Sequence, residues 1–268
     1  MTDQSSASLL AVALEGAREA AAFIRSAAPR VREIAWQEKS ATDFVSEVDL
    51  GAEERIIAAV RRHLPEAGIL AEETATTISP DRQRQGVVFV IDPLDGTTNF
   101  LHGYPEYAVS IGVLRDGALA AAVVIDVPGD EEFTATAGGG AFLNGERISV
   151  SGTTNPQRAL IGTGFPFKNP ADIAPYQAQM SRVMAGVSGV RRPGAAAIDL
   201  ASVACGRFDA FWESMLSPWD IAAGILLVRE AGGIVSDDTG LEISVGHTGI
   251  VAGNQTMHEW LLRAIRAS

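Results

Sequence analysis

One cysteine, Cys205, stands in 268 residues, so no disulfide can form within the chain. That scarcity fits a reducing compartment and makes the cytoplasm the expected location. Long apolar runs are missing too. The longest, Ala118–Ile125, falls well short of the roughly 20 residues a membrane helix needs. Met1–Ser8 lacks the basic start of a secretory leader, and Leu9–Leu14 is interrupted at once by Glu15, Arg18 and Glu19. Aromatic residues make up only 6% of the chain, too few for an extended stacking surface. Positive charge is also short. Twenty-one Lys and Arg face 33 Asp and Glu, a net charge of −12, and only Arg61-Arg62 and Arg191-Arg192 are adjacent basic pairs. Nucleic acid and anionic lipid, both gripped by clustered cations, are therefore unexpected partners. A phosphate ligand would need its charge met by something other than side-chain cations, which points to bound metal.

What is present is a turn-rich α/β composition, with 27 Gly, 12 Pro and 47% apolar residues. Leu10, Leu14, Ala17, Ala21 and Ile24 repeat at helical spacing and predict a helix over about 8–28, before Pro29. Ala52, Ile56, Ala59, Val60 and Leu64 predict another, ended by Pro65. Ile69–Ala71 reads as a short strand running into Glu72-Glu73, and Val87–Ile91 as a buried strand stopping at Asp92-Pro93. Asp116-Gly117 and Asn144-Gly145 are two-residue hairpin turns, the first joining 107–114 to 118–127 and the second joining 141–143 to 148–150. Beyond Arg158 strands and helices alternate, with helices over 195–204, 220–229 and about 256–267 and strands over 209–213 and 250–252. The sum is an α/β (α+β) chain: helical layers on mixed, largely antiparallel sheets, one domain with a soft join near 151–156.

The densest chemistry lies in Asp92-Pro93-Leu94-Asp95-Gly96-Thr97-Thr98-Asn99-Phe100, where a buried strand leaves its sheet. Pro93 stiffens the exit, Gly96 admits close backbone approach, and Thr97 and Thr98 suit a helix start facing an anion. Asp-Pro and Asp-Gly alone would mark only turns. Their coupling to Glu72-Glu73, at the end of another strand, gathers carboxylates that repel unless a cation intervenes. Oxygen donors without His or Cys select Mg²⁺, Mn²⁺ or Ca²⁺ over zinc. Asp95-Gly96-Thr97 also resembles the Asp-x-Asp-Gly-Thr signature of haloacid-dehalogenase phosphatases, but Pro93 stands where that chemistry needs its nucleophilic aspartate.

Asp92–Phe100, Glu72-Glu73 and Trp219-Asp220-Ile221-Ala222-Ala223-Gly224 together resemble the signatures of the inositol monophosphatase family, metal-dependent and lithium-sensitive phosphatases. The resemblance extends to Lys39–Asp49, Gly164–Lys168 and Gly194–Asp199. It implies a layered αβαβα sandwich and two or three Mg²⁺ ions, with Mn²⁺ as a substitute. By that likeness Glu72, Asp92, Asp95, Asp220 and the carbonyl of Leu94 are metal ligands, while Glu72, Asp49 and Thr97 handle the attacking water. It places Asp95, Gly96, Thr97, Gly194, Ala195, Ala196, Glu213 and Asp220 around the substrate and Lys39 on a mobile loop over the metals. A homodimer is the expected assembly, with Ile161–Phe167 as a contributor.

The expected reaction is hydrolysis of a small polyol or sugar phosphate, inositol 1-phosphate first. Histidinol phosphate, fructose 1,6-bisphosphate and adenosine 3′,5′-bisphosphate are the alternatives, and a transcription-machinery accessory protein on the same fold is the alternative of another class. The remaining notable residues read as structural. Trp36, Trp212 and Trp260 are expected in the core, with Trp219 beside the site as scaffold for Asp220. His63, His102, His247 and His258 share no ligand spacing and are expected to face solvent or cap helices. Cys205 reads as a buried small apolar residue, and Gly138–Gly140 as a turn.

Overall fold

A Ser5 cap and an apolar stripe running from Leu9 to Ile24 form helix α1 (Ser6–Ala27), close to the predicted span. The computed structural model describes residues 4–40, 43–167, 169–243, 245–246 and 248–267, which leaves His247 and Lys168 outside the described residues. A hairpin follows, β1 (Trp36–Ser40) and β2 (Asp43–Ser46), antiparallel, with a register shift between Glu38 and Ser40. It leads into α2 (Glu47–His63), which begins five residues before the first apolar position of the predicted pattern because Ser46 and Asp49 form a capping box.

The first sheet starts at β3 (Gly68–Ala71) and, after the short α3 (Pro80–Arg84), continues with β4 (Val87–Asp95). The short α4 (Thr97–Leu101) then precedes β5 (Ala108–Arg115), β6 (Ala118–Asp126), β7 (Glu131–Thr136), β8 (Gly140–Leu143) and β9 (Glu146–Arg147). These seven strands lie side by side in chain order, β3 parallel to β4 and every other pair antiparallel. Both expected hairpin turns are present, with positive φ at Asp116, Gly117, Asn144 and Gly145. The second hairpin is shorter than predicted. Strand pairing ends at Arg147; beyond it the Ile148 N–H still donates to Ala141, whereas the Val150 N–H turns to Ala231 instead.

The second sheet contains β10 (Leu160–Thr163), then α5 (Ile173–Met184), β11 (Gly189–Arg191), α6 (Ala196–Ala204) and β12 (Ala210–Leu216). It is completed by α7 (Pro218–Glu230), β13 (Ile234–Ser236), β14 (Thr248–Gly253) and α8 (Gln255–Arg266). Its strand order is β11-β10-β12-β14-β13, with β10 parallel to both neighbours and β14 antiparallel to both of its own.

Five layers result: α1 and α2, the seven-stranded sheet, α6 and α7, the five-stranded sheet, then α5 and α8. Alternation along β4 sets the first two interfaces. Phe89 and Ile91 join Ile56 and Ile24 under α1 and α2, whereas Val88 and Val90 meet Trp219 and Ala222 of α7. A central layer with apolar groups on both faces follows. Within α7 Ile221, Leu226 and Leu227 are buried, each worth about 2 kcal/mol.

Two residues are placed otherwise than expected. Trp36 is 49% exposed on the β1–β2 hairpin, edge-to-face with Phe44, because that hairpin is a two-stranded sheet of its own and joins neither of the larger sheets. His258, expected at the surface, is buried at the start of α8 with Nε2 2.9 Å from Ser236 Oγ. His63 pairs with Glu15 and His102 with the Thr98 carbonyl, both exposed as expected. Trp212 is buried, and Cys205 is half-buried at the C-terminus of α6, where burial pushes its thiol pKa up. Among the described residues no helix is long and apolar enough to cross a membrane.

Candidate active site

Residues three apart on a regular strand point to opposite faces, yet Asp92 and Asp95 share one. The strand runs through Pro93 and does not stop there as predicted. Asp92 pairs with Ser110 and Asp95 with Ala108, so Pro93 and Leu94 together oppose a single residue, Val109. That bulge restores a common face, and it is a position where a proline without an N–H is tolerated. The face is the one already carrying Val88 and Val90, turned toward α7.

Parallel register supplies the third carboxylate. Ala71 lies beside Ile91, and the Glu72 N–H donates to the Ile91 carbonyl at 3.2 Å, so Glu72 emerges abreast of Asp92. Its loop is fixed from below by Glu53 of α2, a residue the sequence reading passed over. Glu53 is buried and accepts the Glu73 N–H at 2.8 Å, the Thr74 N–H at 2.9 Å and the Thr74 hydroxyl. An acid at position 53, within the apolar stripe of Ala52 and Ile56, was the available signal.

Three longer helices begin here. Asp49 and Asp220 occupy the third position of α2 and α7, each closing a capping box, with Ser46 and Ser217 respectively. Asp220 Oδ2 accepts the Ser217 N–H at 2.7 Å. Asp49 Oδ2 accepts from the Ser46 hydroxyl at 2.6 Å, and its Oδ1 from the Thr97 hydroxyl at 2.7 Å. Thr97 Oγ1 also lies 3.0 Å from the Leu94 carbonyl. At the start of α6 the Ala197 N–H donates to Asp95 Oδ2 at 2.7 Å. Converging N-termini favour negative charge at this spot.

Burial opposes that charge. Asp92 is held well above the usual carboxylate range, first by burial and then by repulsion from Glu72, Asp95 and Asp220. Asp95 is raised likewise by burial and by Asp220, against the help of the Ala197 N–H. Asp49 is raised by burial despite its bonds to Ser46 and Thr97. Asp199 of α6, quoted in the sequence without a role, is raised by burial and then by Glu213 and Asp95. Among the described residues both of its oxygens are buried without a hydrogen-bond partner.

The donor set is all oxygen, as a hard divalent cation prefers. Among the described residues, no three His, Cys, Asp or Glu side chains are gathered closely enough to hold a metal by themselves. Mg²⁺ does not ask for that: it keeps several waters and takes one or two carboxylates at a time. The residues therefore fit such an ion, with Glu72, Asp92, Asp95 and Asp220 facing one cavity of about 420 Å³.

Gly96, Thr97, Gly194, Ala196 and Glu213 also line this cavity, whereas Ala195 is buried and does not. Two glycines are required by the space. Gly96 takes φ +88°, and a side chain there would sit 2.7 Å from the Glu106 carbonyl; at Gly164 a side chain would collide with the Glu213 carboxylate. Asn99 ties α4 to the Gly194 loop through its amide, 2.8 Å from the Glu106 carbonyl and 3.1 Å from that of Pro193. Arg192, one of the two adjacent basic pairs, lies at the rim 5.2 Å from the rings of Phe165 and Phe167. Among the described residues it is the one Lys or Arg lining the cavity. The backbone of Lys39 belongs to β1, and its side chain lies outside the described part.

The inositol monophosphatase family profile matches residues 5–268. The chain belongs to that family. This inositol monophosphatase family member is 48% identical to Nus factor SuhB of Pseudomonas aeruginosa over 262 residues, 96% of each chain. It is 42% identical to inositol-1-monophosphatase of Mesorhizobium japonicum, again over 96% of each. The crystal structure of extragenic suppressor protein suhB from Bartonella henselae superposes on the family member with a TM-score of 0.92 at 40% identity, covering 97% of this chain and 99% of that one. The five-layer architecture is thus the family's own.

Proposed function

We infer that this protein is a Mg²⁺-dependent phosphomonoesterase acting on a small polyol phosphate, inositol 1-phosphate above the alternatives. The observation that carries the reading is the convergence of Glu72, Asp92, Asp95 and Asp220 on one cavity beside the hydrogen-bonded Asp49–Thr97 pair. The family supports the reaction class, and the name of the Mesorhizobium relative supports the substrate.

Phosphate-ester hydrolysis demands positioning and charge neutralisation more than covalent chemistry. Glu72, Asp92, Asp95, Asp220 and the Leu94 carbonyl would hold Mg²⁺, which when bound acidifies a water and shields the ester's charge. Glu72 and Thr97 orient the attacking water, whose proton goes to the Thr97 hydroxyl as Thr97 passes its own to Asp49. Backbone N–H groups of Gly96 and Thr97 hold phosphate oxygens, and Arg192 draws the dianion to the rim. Glu213 accepts hydrogen bonds from the hydroxyls of the alcohol, with Gly194 and Ala196 leaving room for its ring.

The test is phosphate release from inositol 1-phosphate, histidinol phosphate, fructose 1,6-bisphosphate and adenosine 3′,5′-bisphosphate, ranked by kcat/KM. Inositol 1-phosphate is expected first, with activity lost on chelation and restored by Mg²⁺. Full turnover after exhaustive chelation overturns the metal assignment, and a different ester at the top replaces the substrate. The Pseudomonas relative's name favours a second role, in transcription. Retention of RNA polymerase components by the immobilised protein supports that role, and none retained removes it.

A further inference from the structure

Asn99 belongs to the densest motif of the sequence, yet it has no part in the chemistry above. It is half-buried in α4 and lines the carboxylate cavity, but its amide nitrogen is turned to the protein. Three backbone carbonyls accept from Nδ2: Glu106 at 2.8 Å, Pro193 at 3.1 Å and Gly194 at 3.3 Å. The amide cannot be reversed, because its oxygen would then face three other oxygens. With two hydrogens for three acceptors, one bond is shared, and both donors of the side chain are engaged.

The three carbonyls belong to opposite ends of the cavity. That of Glu106 borders Gly96, where a Cβ would lie 2.7 Å away, so this bond braces the backbone on which Gly96 rests. Those of Pro193 and Gly194 form the turn that leads into α6. Gly194 takes φ +100°, and a Cβ there would lie 2.6 Å from Arg192 Nη1 and 3.2 Å from Asn99 Nδ2, so the turn is packed closely against both side chains. Gly96 leaves β4 of the first sheet, whereas Gly194 lies 95 residues beyond Asn99, in the half of the chain that carries the second sheet. With the bond from the Ala197 N–H to Asp95, the Asn99 bonds join residues 92–99 to 193–197.

We propose that Asn99 is a positioning residue that sets the spacing between the phosphate end of the cavity, at Gly96 and Thr97, and the alcohol end, at Gly194, Ala196 and Glu213, and so determines how strongly esters are distinguished by their alcohol. This rests on the phosphatase reading and deepens it. A polyol phosphate must meet both ends at once, and it does so only while the two segments keep one separation. A displacement of about 1 Å between them is enough to cost up to about 100-fold in rate. An ester whose alcohol has no hydroxyls to place is indifferent to that spacing.

The experiment uses the full chain at saturating Mg²⁺ and compares Asn99→Ala and Asn99→Ser with the parent. The substrates are inositol 1-phosphate, or whichever ester of the panel ranks first, and p-nitrophenyl phosphate, with inorganic phosphate as a competing ligand. Both variants are expected to lose about tenfold or more in kcat/KM on the polyol ester, mainly through KM, because contacts to the alcohol are made before the transition state as well as in it. Turnover of p-nitrophenyl phosphate and the inhibition constant of phosphate are expected to stay within about threefold of the parent. Gly194→Ala, which forces the same turn outward, is expected to show the same selective loss, and Asn99→Ala combined with Gly194→Ala to lose no more than the worse single variant, since both act on one joint. A parent that hydrolyses neither ester overturns the phosphatase reading, and this proposal with it. An active parent whose Asn99 variants lose both esters and phosphate affinity alike, or lose nothing, overturns the spacing role alone. Losses that simply add in the double variant likewise overturn it, and Asn99 variants that both fail to fold at the assay temperature assign the residue to the fold and overturn it too.

Discussion

The hydroxyl of Thr97 donates to Asp49 Oδ1 at 2.7 Å, joining two residues 48 positions apart, each at the start of its own helix. Because Asp49 Oδ2 is engaged by Ser46, the carboxylate cannot swing toward solvent, and the Thr97 hydroxyl is left with its oxygen lone pair turned outward. A side chain held this way can take the proton of the attacking water while passing its own hydroxyl proton to Asp49 Oδ1, a carboxylate oxygen able to receive it. Thr97→Val and Asp49→Asn should therefore lower kcat by about 100-fold or more with KM changed less than threefold. Steady-state kinetics at saturating Mg²⁺ checks this; a loss confined to KM would make the pair a binding element.

Asp95 ends β4 and Asp220 opens α7, and the charge of Asp220 raises the proton affinity of Asp95. If that repulsion is matched to a divalent cation, Asp95→Asn and Asp220→Asn should reduce Mg²⁺-dependent phosphate release at least 1,000-fold and leave the far-ultraviolet dichroism intact. The parent's melting temperature should rise by roughly 5–10 °C in millimolar Mg²⁺, since a ligand at 100 times its Kd adds about 2.7 kcal/mol. The two variants should lose most of that rise. Calorimetry of parent and variants with and without the ion separates the cases, and near-normal turnover in either variant would sink the ligand assignment.

The aspartates were legible in the sequence because Asp92, Asp95 and Gly96 lie within five residues at the end of an unmistakable buried strand. The reason they share a face was not, since a bulge exists only against a pairing partner. The hairpin turns could be read from Asp116-Gly117 and Asn144-Gly145, whose residue types demand positive φ. By the same logic the left-handed backbone at Met215 in β12, φ +63°, was invisible: its residue type denies the conformation it adopts. The β1–β2 hairpin was missed because its polar residues show no alternating pattern, and α5 because only Tyr176 and Val183 of its twelve residues are buried.

Glu53 illustrates how far the site's support extends. Its carboxylate accepts three hydrogen bonds from the loop that carries Glu72, all inside the protein. Glu53→Ala should cost about 3 kcal/mol, a fall in melting temperature of roughly 6–12 °C. Phosphate release at a temperature where the variant is folded should still drop, because Glu72 loses its anchor. A variant fully active when folded would limit Glu53 to stability.

Asp199 tests the buried charge directly. Burial, then Glu213 and Asp95, lift its pKa in the folded protein above the value near 4 that it has when unfolded. The folded state consequently binds the proton more tightly. Below the unfolded pKa the carboxyl is neutral in both states and costs nothing; as pH rises toward the folded pKa, unfolding gains from releasing that proton, and stability falls. Asp199→Asn removes the titration while keeping the shape. In chelator, the melting temperature of the variant relative to the parent should therefore climb between pH 4.5 and pH 7.5, by several degrees. An offset identical at the two pH values would mean that residue 199 is ionised to the same extent in the folded and unfolded chains, and that the orphaned oxygens are satisfied by solvent instead.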